Sequence, residues 1–145
     1  MRMNGIAHIA INVSNFEKCN GFYRQLLEFL EMKLIYDSSD VIYGVGSRTG
    51  ILVSAAAEEF RDESFHQTRI GLHHICFRAR SEADVDGLHE FLLGIGAKIV
   101  HAPEAGRWAP GYYSVLFEDP DGIRLEANYV PGKGNLDPAV QLPLV

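Results

Sequence analysis

Two histidines and a glutamate, His8, His74 and Glu126, have the side chains and the placement to hold one divalent metal ion. The placement is a register: Gly5-x-x-His8-Ile9-Ala10-Ile11 returns 66 positions later as Gly71-x-x-His74-Ile75-Cys76-Phe77. A single histidine in a strand is commonly a hydrogen-bonded core residue; a histidine repeated together with its whole strand marks a shared face. Period-two alternation puts Ile6, His8, Ala10 and Asn12 on one side of the first strand and Leu72, His74, Cys76 and Arg78 on the equivalent side of the second. Arg124, Glu126 and Asn128 fall together on the last strand. Two neutral imidazoles and one carboxylate suit Fe(II), Zn(II), Mn(II), Ni(II) or Co(II), one ion per site, and three ligands leave coordination positions open for water or substrate.

The elements that must position these residues repeat as well. Gly21-Phe22 corresponds to Gly87-Leu88 and Leu26 to Leu92 at the same offset, so the helical pattern follows each strand. Near the end of each half, Gly50-Ile51-Leu52-Val53-Ser54 aligns with Gly122-Ile123-Arg124-Leu125-Glu126 at an offset of 72. The second half has therefore gained about six residues, which we place in a loop from His101 to Gly111. A period of roughly 60 residues exceeds the units that stack into solenoids. We read one domain over residues 1–145: a first module at 5–56, a linker at 57–70, a second module at 71–130 and a tail at 131–145.

Residues 5–13 are an apolar run of strand length, and Ser14-x-x-Glu17 reads as a capping box opening a helix. Phe16, Cys19, Phe22, Tyr23, Leu26, Leu27 and Leu30 then recur at helical spacing to about Met32. Strands are expected at 33–36, 41–45 and 50–55, divided by Asp37-Ser38-Ser39-Asp40 and Gly46-Ser47-Arg48-Thr49. In the second module, Gly71 to Ala79 reads as strand and Ser81 as the cap of a helix carrying Val85, Leu88, Phe91, Leu92 and Ile95, with Gly96 as its left-handed stop. Strands near 98–101, 112–118 and 123–129 complete it, the last two joined by the tight-turn sequence Asp119-Pro120-Asp121-Gly122. Each module is thus βαβββ and the fold class is α+β. The tail, with its prolines and lack of period, is expected to be irregular.

The composition narrows the partners. At 47% hydrophobic and 22% charged the chain is ordinary for a globular protein, and no apolar run approaches a membrane span. The net charge of −6 argues against an electrostatic nucleic-acid footprint. Met1-Arg2-Met3-Asn4 enters a strand pattern without a signal-peptide core, giving a cytoplasmic expectation. Cys19 and Cys76 lack paired spacing and read as reduced, Cys19 as helix packing and Cys76 on the face of His74.

Together, Gly5-Ile6-Ala7-His8-Ile9-Ala10, Phe22-Tyr23, Gly71-Leu72-His73-His74-Ile75 and Asp119-Pro120-Asp121-Gly122-Ile123-Arg124-Leu125-Glu126 resemble the vicinal oxygen chelate superfamily. That superfamily holds glyoxalase I, extradiol dioxygenases, methylmalonyl-CoA epimerase, and fosfomycin- and bleomycin-resistance proteins. The resemblance covers about residues 5–130. It implies two βαβββ modules whose mixed sheets curl into a cup around a metal held by His8, His74 and Glu126. It also implies a homodimer whose sites are shared, His8 coming from one chain and His74 with Glu126 from the other. Three departures narrow the chemistry. Glyoxalase I and the epimerase take a fourth ligand from the first module's last strand, where the alignment puts Ser54, so glyoxalase I activity is not expected. Extradiol dioxygenases and fosfomycin thiol transferases carry a Tyr ten residues before the last carboxylate, where Leu116 stands. The transferases also carry a Thr two residues after the first histidine, where Ala10 stands.

The remaining candidates are substrate contacts. Arg78 has the ligand parity and could pair with a substrate anion or an acidic neighbour; Trp108, Tyr112 and Tyr113 could form an aromatic wall or ordinary rim packing; Ser114, Ser54 and Cys76 complete the set. His73, of opposite parity to His74, is expected to face the helix layer, His66 and His89 to be surface residues, and His101 to be a candidate acid or base. The leading expectation is a metal-dependent enzyme, a lyase or isomerase or a dioxygenase, chelating vicinal oxygens of a small organic substrate. Its rivals are a metal-free drug-binding protein of the bleomycin-resistance type and a structural metal site without turnover.

Overall fold

Alternation along the strands organises both sheets of the computed structural model, which describes residues 5–138. In β1 (His8–Val13), Ile11 and Val13 are buried while His8, Ala10 and Asn12 are exposed. The helix that follows, α1 (Phe16–Phe29), carries Phe16, Cys19, Tyr23, Leu26 and Leu27 at three- and four-residue intervals, all of them buried. This gives the helix a single apolar stripe. Cys19 is a packing residue, as expected. The helix starts one residue later than the capping box suggested, because Asn15 takes the cap and its Oδ1 accepts from the Lys18 amide at 2.9 Å. It ends at Phe29 rather than near Met32; Glu31 adopts a positive φ of 57° and turns the chain out of the helix.

β2 (Lys33–Asp37), β3 (Val41–Gly46) and β4 (Thr49–Ala55) form an antiparallel meander, and β1 returns to pair in parallel with β4, giving the order β1-β4-β3-β2. Between β3 and β4, Ser47 and Arg48 both hold positive φ, 48° and 70°, the sign a two-residue hairpin of the favoured hand requires. A Cβ at Gly50 would run into the Tyr43 ring, so any larger residue there requires that ring to shift.

The chain divides into two compact units, Met1–Phe65 and His66–Val145. The stretch read as a linker holds a short 3-10 turn at Glu58–Phe60. The second unit repeats the order of the first, with β5 (Ile75–Arg78), α2 (Glu82–Gly94), β6 (Lys98–Gly106), β7 (Tyr112–Glu118) and β8 (Arg124–Tyr129) arranged as β5-β8-β7-β6. Ser81 caps α2 as read, accepting from the Asp84 amide, and Gly96 takes a φ of 70° after the helix. Val85, Leu88 and Leu92 bury against Val115, Phe117 and Leu125, the helix-facing residues of β7 and β8.

In the second unit the boundaries of β5 and β6 depart from the sequence reading. The strand expected from Gly71 starts only at Ile75; Gly71, at a φ of 136°, lies outside the sheet. The expected loop from His101 is largely strand, since β6 runs to Gly106 with irregular register near His101 and Glu104. Pro103 is tolerated there because β6 is the sheet edge, where a missing amide donor breaks no ladder. The Asp119 carboxylate accepts from the amides of Asp121 and Ile123 at 2.9 and 2.8 Å, and Gly122, at a φ of 83°, completes the turn that sets β8 against β7. The tail is irregular through residue 138 apart from a 3-10 turn at Gly134–Leu136. Residues 1–4 and 139–145, which include the amino-terminal stretch and the end of the tail read above, lie outside the described residues.

Candidate metal centre

On the side of the second sheet away from α2, β7 and β8 present Tyr112, Ser114, Leu116 and Glu118 beside Arg124, Glu126 and Asn128, and β5 adds Cys76 and Arg78. Pairing aligns them: Cys76 and Leu116 flank Glu126, and Arg78 and Ser114 flank Asn128. Glu126 is 7% exposed. Both carboxylate oxygens are engaged: Oε1 accepts from the Tyr112 hydroxyl at 2.6 Å, and Oε2 lies 3.1 Å from Nε2 of His74. The other ring nitrogen of His74, Nδ1, is 2.8 Å from Nδ1 of His73, with the rings edge to face.

The local electrostatics keep Tyr112 and Cys76 protonated beside Glu126. The Tyr112 phenol is pushed up by burial and then by its hydrogen bond to the Glu126 carboxylate. The Cys76 thiol is pushed up to about 12, first by desolvation of the sulfur among its neighbours and then by the Glu126 charge, although the residue is exposed at this face. At one end of the face, Lys98 and Arg124 both approach Glu118, at 2.7 and 3.6 Å, and Nε of Arg124 is buried without a hydrogen bond.

His74 and Glu126 fit a metal in type and separation. Two ligands at right angles around an ion, with bonds of about 2.0–2.2 Å, stand about 3 Å apart, and Nε2 and Oε2 are separated by 3.1 Å. Among the described residues no group of three or more His, Cys, Asp or Glu side chains is assembled to hold an ion. His8 belongs to the first unit, where it heads β1, exposed and opposite Gly50.

Other candidates resolve individually. His73 does not face the helix layer: the strand begins at Ile75, so alternation does not govern it, and its exposed ring lies beside His74. Tyr113 points to the helix side and donates to Asp86 at 2.8 Å, leaving Tyr112 as the aromatic residue at Glu126. Trp108 is 53% exposed with the Arg107 guanidinium over its ring at 5.4 Å, and Ser114 is buried. Arg78 is exposed on the same face as Cys76. His89 is half-buried in α2 rather than a surface residue, His66 bonds Thr68, and His101 contacts the Ala102 carbonyl at 3.0 Å. In the first unit, Ser54 donates to Asn12 at 3.0 Å.

Strand register corrects the assignment of Ser54. At the 66-residue offset Cys76 corresponds to Ala10; Cys76 pairs with Glu126 and Ala10 pairs with Leu52. The position equivalent to Glu126 is therefore Leu52, while Ser54 corresponds to Asn128. The absence of a fourth carboxylate or amide ligand at that position stands, because leucine offers no donor. Sequence reasoning missed the Tyr112–Glu126 contact. The two share strand-face parity, but Glu126 pairs with Leu116, four residues along β7 from Tyr112, beyond what spacing alone reveals.

The family model for the Glyoxalase/Bleomycin resistance protein/Dioxygenase superfamily matches residues 5–127, and the chain belongs to that superfamily. It is 33% identical over 122 residues to the protein YqjT of Bacillus subtilis (strain 168), covering 82% of this chain and 94% of that one. It is 29% identical over 126 residues to the metallothiol transferase FosB of Shouchella clausii (strain KSM-K16), covering 87% and 80% respectively. A crystal structure of a candidate glyoxalase from Bacillus halodurans shares the fold with a TM-score of 0.76 at 26% identity, over 88% of this chain and 96% of that one. No helix among the described residues is long and apolar enough to cross a membrane.

Proposed function

We propose that this chain is a divalent-metal-dependent enzyme in which His8, His74 and Glu126 hold one ion that chelates vicinal oxygens of a small organic substrate. The observation that carries the reading is the paired placement of His74 Nε2 and Glu126 Oε2 on the open side of the second sheet. The ion would supply Lewis-acid stabilisation of negative charge developing on substrate oxygens. The protein's own groups do the rest. Tyr112 keeps its proton and fixes one oxygen of Glu126, which leaves the other oriented toward His74. Cys76 stays a neutral thiol beside the carboxylate, and Arg78 offers a cation on the same face for an anionic substrate group.

Ala10 and Leu116 stand where the resemblance calls for Thr and Tyr, which leads us away from thiol transfer of the kind named for the Shouchella clausii relative. Leu52 leads us away from glyoxalase I. Isomerase, lyase and dioxygenase chemistry remain, divided by the metal. We further propose a homodimer in which His8 of one chain completes the pair His74 and Glu126 of the other. Metal content of protein purified anaerobically tests the core reading. Stoichiometric metal lost in Glu126→Ala supports it, and metal retained in that variant overturns it. A second reading, a metal-free binder of aromatic molecules, draws on the exposed Trp108 ring; saturable binding of an aromatic drug without any metal uptake favours it.

A further inference from the structure

We propose that the substrate of this site is a small dianion, with a carboxylate on each side of its vicinal oxygens, and that Arg78 and Arg124 receive the two carboxylates on either side of Glu126. The inference rests on the metal reading above and adds the substrate class.

Strand register sets the spacing. Arg124 lies two residues before Glu126 on β8, and Arg78 pairs with Asn128, two residues after it. Cys76 pairs with Glu126, and residues at even spacing along a strand share a face, so both arginines lie on the face of Glu126. Positions 124 and 128 stand about 13 Å apart along β8. A charge-assisted hydrogen bond takes about 3 Å at each end, which leaves about 7 Å for the ligand, roughly the span of a four-carbon dicarboxylate.

Neither guanidinium is used up within the protein. Arg78 is exposed and makes no hydrogen bond or ion pair among the described residues. The Arg124 side chain is 22% exposed, its Nε is buried without a hydrogen bond, and none engages the rest of its guanidinium among the described residues. Glu118 lies 3.6 Å from that Nε, an ion-pair separation beyond hydrogen-bond range, and its other carboxylate oxygen accepts from Lys98 at 2.7 Å. Glu118 thus holds Arg124 by charge and leaves its donors for an acceptor from outside. Each planar guanidinium fork matches one carboxylate. Charge selects a dianion over a monoanion. Across β5, β7 and β8 of this face, Arg78 and Arg124 balance Glu118 and Glu126, so a divalent ion held there would leave two positive charges for the ligand to neutralise.

The test is isothermal titration calorimetry of tartrate, glycerate and threitol into Zn(II)-loaded and metal-free protein. All three probes carry vicinal hydroxyls, with two, one and no carboxylates respectively. Wild type should bind tartrate most tightly and threitol least in both forms, and the Zn(II)-loaded form should bind tartrate more tightly than the metal-free form. Arg78→Gln and Arg124→Gln should each weaken tartrate about 10-fold or more, the range for loss of a hydrogen bond to a charged group. Arg69→Gln, which removes the same charge outside both sheets, should leave tartrate binding unchanged. The wild-type ranking needs no variant, so it decides even where Arg124→Gln fails to fold. Tartrate bound no more tightly than glycerate by wild type, or equally by wild type and a folded Arg124→Gln, overturns the dianion proposal alone when Glu126→Ala still loses Zn(II). Zn(II) held equally by wild type and Glu126→Ala overturns the metal reading and this proposal with it.

Discussion

Tyr112 reaches along β7 and β8 to donate a 2.6 Å hydrogen bond to Oε1 of Glu126, while His74 faces the other oxygen of the same carboxylate. The carboxylate is nearly enclosed, so neither contact is exchanged freely for water. One residue outside the repeat register therefore fixes the orientation of a residue inside it.

Tyr112→Phe should destabilise the metal-free protein by about 1–3 kcal/mol, because it leaves a buried acceptor unsatisfied. The double variant Tyr112→Phe with Glu126→Gln should cost less than the two single changes combined. Urea denaturation of the four proteins gives the coupling directly, and strictly additive losses would show that the hydrogen bond contributes nothing.

Adding Zn(II), Ni(II), Mn(II), Co(II) or Fe(II) to metal-free protein should raise its melting temperature, since an ion bound only by the folded state stabilises by mass action. Chelation should reverse the rise. His8→Ala, His74→Ala and Glu126→Ala should each abolish it. A full rise in His8→Ala would remove His8 from the ligand set while leaving the pair in the second unit intact.

Leu26 and Leu92 occupy equivalent positions of the repeat and both are fully buried, in α1 and α2. Leu26→Ala and Leu92→Ala should each cost about 2–5 kcal/mol through lost burial and the cavity left behind. Chemical denaturation measures both. A loss below 1 kcal/mol in one of them would mean that its unit does not need the helix–sheet core described here.

The Tyr113 phenol is raised above its usual range by its hydrogen bond to Asp86, then by desolvation and the acidic charges nearby. The fold therefore favours the protonated form. Its contribution is fully present below the unfolded phenol value of about 10 and is lost as pH rises through the folded value. Tyr113→Phe should lower the melting temperature at pH 7, and the difference from wild type should shrink at pH 11. A difference that grows with pH would contradict the assigned donor.

Much of this protein is legible along the chain. The recurrence of Gly-x-x-His at Gly5 and Gly71, the helical stripe from Phe16 to Leu27, and the turn Asp119-Pro120-Asp121-Gly122 each express a preference set within a few residues. Alternation likewise assigned His8, Ala10 and Asn12 to one face and Cys76 and Arg78 to another. What local preference could not supply is pairing. The alignment put Ser54 opposite the role of Glu126, and only the ladders, Ala10 with Leu52 and Cys76 with Glu126, showed a shift of two residues that preserves parity and is therefore invisible to it. The same holds for where a strand begins. Had β5 started at Gly71, His73 would face the helix; because it starts at Ile75, His73 turns to His74. The repeat, the face of each strand and the donor types of the candidate site follow from periodicity and side-chain chemistry, both of which are local to the chain. Which residues touch Glu126 depends on folding, because register and reach are set by contacts between segments far apart in the chain.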